Sequence, residues 1–238
     1  GSLPSRPGRN VILYCEHDFP SVGFVLQQAV RLGYRIRMIP AQEDAQQLAT
    51  WESALAPDVH CVLLTHAHFN SGKLIPVADI TRLTRAREIF SVVDIAQSAG
   101  VVPIDLRAWQ ADVVLGSCVK WLCGGPGAGF LWLQPDTATD LKPMDVGWFS
   151  HSAPFEFDIN RFEYAEGSAR FWGGTPSILP YVVASHSLEL VGRIGVETVR
   201  QHNMALTGKI VSRVDPACLR APADPALRGG TLVLALPD

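Results

Sequence analysis

The chain has little of what marks membrane, secreted or nucleic-acid-binding proteins. Its 238 residues contain no apolar run approaching the ~18 residues a membrane span requires. Twenty Lys and Arg against 23 Asp and Glu leave a formal charge of −3 and a pI near 6.2. That balance offers no electrostatic footprint for a phosphate backbone or an anionic lipid surface. Cysteine is sparse: five, an odd number, mostly inside apolar runs such as VILYC and HCVLL. This excludes a disulfide framework, and Cys118 and Cys123, without a second pair, do not make a zinc knuckle. Buried reduced thiols are the expectation. No apolar h-region precedes the first β-branched run, so the cytoplasm is the expected compartment. Gly 20 and Pro 17 are ordinary counts, which sets aside collagen-like and low-complexity chains.

What is there is apolar and patterned. Hydrophobic residues make up 47% and charged residues 18%, with a mean hydropathy of +0.15, which excludes intrinsic disorder and supplies a sizeable core. Short β-branched runs alternate with amphipathic stretches. Strands are predicted over Val11–Cys15, Tyr34–Ile39, Val59–Thr65, Phe90–Asp94, Asp112–Gly116 and Phe130–Leu133. Helices are predicted over Val22–Leu32, stopped by Gly33, over Ala41–Leu55, and from Pro76 through Glu88. Continuous apolar strands in a βαβα rhythm predict an α/β fold: a mostly parallel sheet with helices on both faces. From about Asp136 to Gly174 the sequence is irregular, as functional loops are. Two helices, Ser177–Val191 and Val196–Arg213, and a strand over Thr231–Leu236 follow.

The informative stretch is Phe90–Phe130. One buried strand ends in Asp94 and a second ends just before Lys120. In a parallel sheet the carboxyl ends share one edge, where ligands bind. An acid and an amine so placed suit pyridoxal phosphate: the lysine forms a Schiff base and the acid pairs with the pyridine nitrogen. Gly124, Gly125, Gly127 and Gly129 then leave room for backbone near a ligand. Taken singly, an Asp at a strand end is usually a local cap, and a Lys after a strand usually faces solvent. The pair His66 and His68 gives two ligands, too few for a metal site.

VDIAQSAG and ADVVLGSCVKWLCGGPGAG resemble the class V branch of fold-type-I pyridoxal-phosphate enzymes, and within it the kynureninases. DFPS (Asp18–Ser21), LLTHAHFNSGKL (Leu63–Leu74), VGWFSH (Val146–His151) and RFWGGTPSI (Arg170–Ile178) extend the likeness in order along the chain. The resemblance implies Lys120 as Schiff-base lysine and proton carrier, with Asp94 on the pyridine nitrogen. Phe19, Ser21, Thr65, Gln97 and Trp148 would contact the cofactor, and His151 the substrate. Thr175 would reach the phosphate of a neighbouring subunit, implying a homodimer with shared sites. The implied reaction is hydrolysis of the Cβ–Cγ bond of kynurenine or 3-hydroxykynurenine, giving an anthranilate and alanine.

Two positions depart from the pattern. Val119 stands where the family has a Tyr beside the lysine, and Val22 stands where the cofactor loop has Asp. Both are open to a core-packing reading or to redirected chemistry. A class V aminotransferase or a cysteine-desulfurase-like lyase is therefore the alternative enzyme, and a non-catalytic scaffold domain the alternative without chemistry. The expected partner is a small amino-acid substrate; nucleic acid, membrane and metal are not expected. The resemblance places a phosphate-cradling Leu-Thr segment before residue 1 and a carboxylate-binding arginine after Asp238. The chain thus reads as a large cofactor domain over 1–175, its N-terminal part missing, and over 176–238 the connecting helices and start of a truncated small α/β domain.

Overall fold

A computed structural model describes residues 2–235. Its centre is a six-stranded sheet in the order β2-β1-β3-β4-β5-β6. The strands are β1 (Val11–Cys15), β2 (Arg35–Ile39), β3 (Val59–Thr65), β4 (Phe90–Asp94), β5 (Val113–Ser117) and β6 (Gly129–Leu133). The first five are parallel and β6 runs antiparallel to β5. Every residue of β1 and β3 is buried, which is why both read as unbroken apolar runs rather than alternating ones.

Helices cover both faces, as side-chain alternation requires. Val11, Leu13, Val62 and Leu64 pack in one cluster with Trp51 of α2 (Leu48–Ala54), Ile80 of α3 (Val77–Ala86) and Trp109 of α4 (Leu106–Trp109). Ile12 and Cys61 point the other way, onto Leu26 of α1 (Pro20–Gln28). α1 begins at a first-turn proline and continues as a 3-10 turn to Leu32, where Gly33 takes the left-handed conformation (φ 85°) that ends it. After β6, α5 (Pro135–Ala138) leads into an irregular segment; α6 (Leu179–Ile194) and α7 (Val196–Val211) follow. Buried Arg170 ties the irregular segment down by donating to the carbonyls of Ala165, Thr139 and Leu141.

Three sequence expectations are corrected. The helix expected over Ala41–Leu55 forms only at Leu48–Ala54. Asp44 accepts from the Gln46 N–H and from Lys73, and its carbonyl takes the Thr50 hydroxyl, so side chains that compete for backbone groups hold residues 41–47 in turns. The strand expected over Thr231–Leu236 is not formed through residue 235; only Leu234 makes a bridge, with Leu219, and Leu236 lies outside the described residues. The cysteines are not uniformly buried: Cys15, Cys61 and Cys118 are, Cys218 is intermediate, and Cys123 is exposed.

Candidate active site

Parallel register brings the ends of β1, β3, β4 and β5 to one edge. Thr65 pairs with Asp94, and Asp94 with Leu115 two residues before the end of β5. The chain then turns: Cys118 accepts from the Gly124 N–H through its carbonyl and donates its own N–H to Ala128, presenting exposed Lys120 at the apex. Gly124 has to be glycine, because a Cβ there would lie 2.7 Å from that of Cys118 and 3.0 Å from that of Ala184 on α6. The Lys120 ammonium stands 5.6 Å from the centroid of the Phe19 ring, within reach of a cation–π attraction.

Asp94 is held by its own turn, where Oδ1 accepts the Ala96 N–H at 2.8 Å. Burial pushes its carboxyl above the usual range, while the Ala96 N–H and the Lys120 charge pull it back. The lysine is thus close enough to steady the acid electrostatically. Half-buried Gln97 lies in the same turn. Beside it Ser98 donates to the Ile95 carbonyl and so accepts from His66 Nδ1 at 2.9 Å. Burial lowers His66 to about 4, which keeps the imidazole neutral, its edge against Trp109.

Asp18 and His68, which sequence reasoning noticed only as parts of motifs, stand at the same edge with side chains 1% and 0% exposed. Asp18 Oδ2 accepts the Cys15 N–H at 2.9 Å. Asp18 Oδ1, Thr65 Oγ1 and both His68 ring nitrogens are buried without a hydrogen-bond partner. An acid directly before Phe19 and a histidine just past the end of a buried parallel strand were the signal available in the sequence.

The other expected site residues stand on α1 and on the irregular segment after β6. Ser21 is exposed on the first turn of α1, and Thr175 is exposed ahead of α6. Trp148 packs against Phe149, Phe155 and Phe157, and His151 accepts the Ala153 N–H and meets Phe162. Trp148 and His151 line a separate cavity of about 450 Å³ with Phe157, Ile159 and Phe162. Val119 is 44% exposed, so its apolar side chain is not there to fill the core. His66 bonds to Ser98 while His68 faces Asp18 without a hydrogen bond, and no metal-ligating group of three gathers among the described residues.

The parallel sheet with a buried acid, a threonine and an amine on its carboxyl edge makes this a ligand-binding domain of the open α/β class. The aminotransferase class-V family matches residues 3–223, and the chain belongs to that family. A kynureninase of Pseudomonas fluorescens is 30% identical over 243 residues, covering 98% of this chain and 56% of that protein. The chain spans about half the length of the curated relatives it matches. Among solved structures, the apo cysteine desulfurase of Thermococcus onnurineus NA1 superposes with a TM-score of 0.81 at 18% identity, covering 96% of this chain and 57% of that one, a likeness of fold alone. The cystine C–S lyase C-DES, solved with cysteine persulfide, gives 0.77 at 27% identity over 89% of this chain and 57% of its own. No helix among the described residues is long and apolar enough to cross a membrane.

Proposed function

We propose that the chain forms the cofactor domain of a kynureninase-like hydrolase, one that cleaves the Cβ–Cγ bond of kynurenine or 3-hydroxykynurenine. The observation that carries this reading is Lys120 and Asp94 on one edge of the sheet, close enough for the ammonium to pull the carboxyl down. The cofactor is pyridoxal 5′-phosphate, and the residues present fit it. Asp94 is a sheltered carboxyl suited to a pyridinium N–H, Phe19 offers an aromatic face next to Lys120, and Thr65 Oγ1 is a buried hydroxyl with no partner of its own. Bound, the cofactor supplies an electron sink for the substrate's Cα. Lys120 anchors it and carries the proton to and from Cα. Asp94 would keep the ring nitrogen protonated, Gln97 would face the ring oxygen or phosphate, and Ser21 would complete the polar shell. The Trp148 indole N–H serves the phosphate, His151 meets the substrate, and Thr175, exposed on its own chain, serves the site of a second subunit.

One observation favours a second reading, a β-eliminating lyase acting on a sulfur amino acid. Val119 is exposed beside Lys120 and offers no proton where hydrolysis of an aryl ketone calls for one, and the cystine lyase shares the fold at 27% identity. The two separate on one plate assay of the full-length protein. Release of anthranilate from kynurenine supports the hydrolase. Sulfide or persulfide from cystine with no anthranilate supports the lyase and rejects the first reading.

A further inference from the structure

At the carboxyl edge, four buried polar atoms from three side chains lack partners: Asp18 Oδ1, Thr65 Oγ1 and both nitrogens of His68. Such atoms are rare in folded proteins, because each forfeits its hydration. Asp18 Oδ1 and His68 Nε2 lie 3.8 Å apart, too far for a direct hydrogen bond and near enough for a small closure or one bridging water. With both side chains out of water, an ion pair costs more than two neutral groups sharing a proton.

We propose that Asp18 and His68 hold one proton between them and act as a positioning pair for Thr65, setting whether its hydroxyl faces the cleft as donor or acceptor. Once the pair has lost that proton to solvent, Asp18 is ionised, His68 stays neutral, and Thr65 donates to the carboxylate and turns its lone pairs to the cleft. With the proton on Asp18, the acid donates to His68 Nε2, and the Thr65 hydrogen is released toward the cleft. No covalent bond is made or broken.

The charges around the pair agree. Burial raises Asp18 to about 6, opposed by Thr65, the Cys15 N–H and His17 and aided by Asp94. Burial lowers His68 to about 4, with His17 and Lys73 acting in the same direction. Tyr14 and Cys15 face Asp18 from β1, and the Asp94 that raises it is itself pulled down by Lys120. His17 is itself engaged: its Nε2 donates to the Ala41 carbonyl at 3.0 Å, and its Nδ1 lies 3.2 Å from the Asn70 amide nitrogen.

The proton pair is tested on cofactor-free protein; its effect on Thr65 rests on the cofactor reading above. Between pH 4 and 6.5 the folded pair and its unfolded counterpart each hold about one proton, so the pair adds almost no pH slope to stability. Single variants unmask opposite slopes. Asp18→Asn leaves His68, whose lowered value makes stability fall as pH drops from 6.5 toward 4. His68→Gln leaves Asp18, whose raised value makes stability fall as pH rises from 4 to 6. Each slope reaches about a hundredfold in the folding equilibrium constant. Slopes of the same sign, or none, overturn the pair, as does a His68 ring that NMR finds protonated at pH 6 in the parent protein. In a second arm, pyridoxal phosphate affinity changes about tenfold between pH 5 and 7 in the parent protein, and is flat in Asp18→Asn and in Thr65→Val. A pH response that survives both variants overturns the positioning role. Parent protein that binds no pyridoxal phosphate refutes the cofactor reading and with it the role assigned to Thr65, while the stability slopes still decide the pair.

Discussion

The two regions that carry the candidate site are built differently. At the sheet edge Thr65 and Asp18 are buried and Asp94 is half-buried, and each is held by strand register or a short turn. The segment with Trp148, His151 and Thr175 is irregular and aromatic, with Phe155 71%, Phe157 77% and Ile159 97% exposed. Register is a discrete choice that places a residue to within one step. A loop position depends on whatever it packs against. The edge is therefore positioned by strand pairing and short turns, whereas the aromatic segment presents surface.

The largest effect should come from the edge. Lys120→Ala removes the amine that anchors the cofactor, and turnover by the full-length protein should fall to background. Retained turnover would transfer the chemistry to another group. Next is the core behind the edge. Trp51 is fully buried and its indole donates to the Ala45 carbonyl at 2.8 Å, so Trp51→Ala should lower stability by about 3–5 kcal/mol in denaturant unfolding. A loss below about 1 kcal/mol would mean that the region is less tightly packed than its burial implies. Asp94→Asn should keep the fold and lower turnover roughly a hundredfold or more, because the electron sink loses its charged partner.

Those three positions also mark how far the sequence could be read. Short apolar and β-branched runs gave all six strands of the sheet to within a residue, and a strand ending in Asp94 followed by one ending before Lys120 was enough to place both on one edge. The failures have local causes. Asp44 uses its side chain to hold turns in what reads as a continuous helix, and the apolar run after Thr231 meets its neighbour, residues 218–221, only in a single bridge and a few backbone bonds rather than a ladder. The unpartnered state of Asp18 and His68 was not legible, because it depends on two segments distant in sequence meeting at the edge. Motif likeness grouped Trp148 and His151 with Lys120. Both line a cavity with Phe157, Ile159 and Phe162, on a segment whose placement depends on loop packing that residue spacing does not encode.

The smaller effects sharpen the contrast. Trp148→Phe should weaken pyridoxal phosphate binding about tenfold by removing one indole N–H while keeping the ring stack, read by equilibrium titration. An unchanged affinity would detach the aromatic segment from the cofactor. Phe157→Ser, on a ring that is 77% exposed, should change stability of the isolated chain by no more than about 0.5 kcal/mol. A larger loss would show that the segment is packed as tightly as the edge.

The most direct test of the edge as cofactor site is borohydride reduction of the protein loaded with pyridoxal phosphate, followed by peptide mapping. The chain has four lysines, at 73, 120, 142 and 209, and Lys73 is paired with Asp44 at 2.9 Å. A phosphopyridoxyl group on Lys120 alone is the predicted result. Label on another lysine, spread over all four, or absent would contradict it.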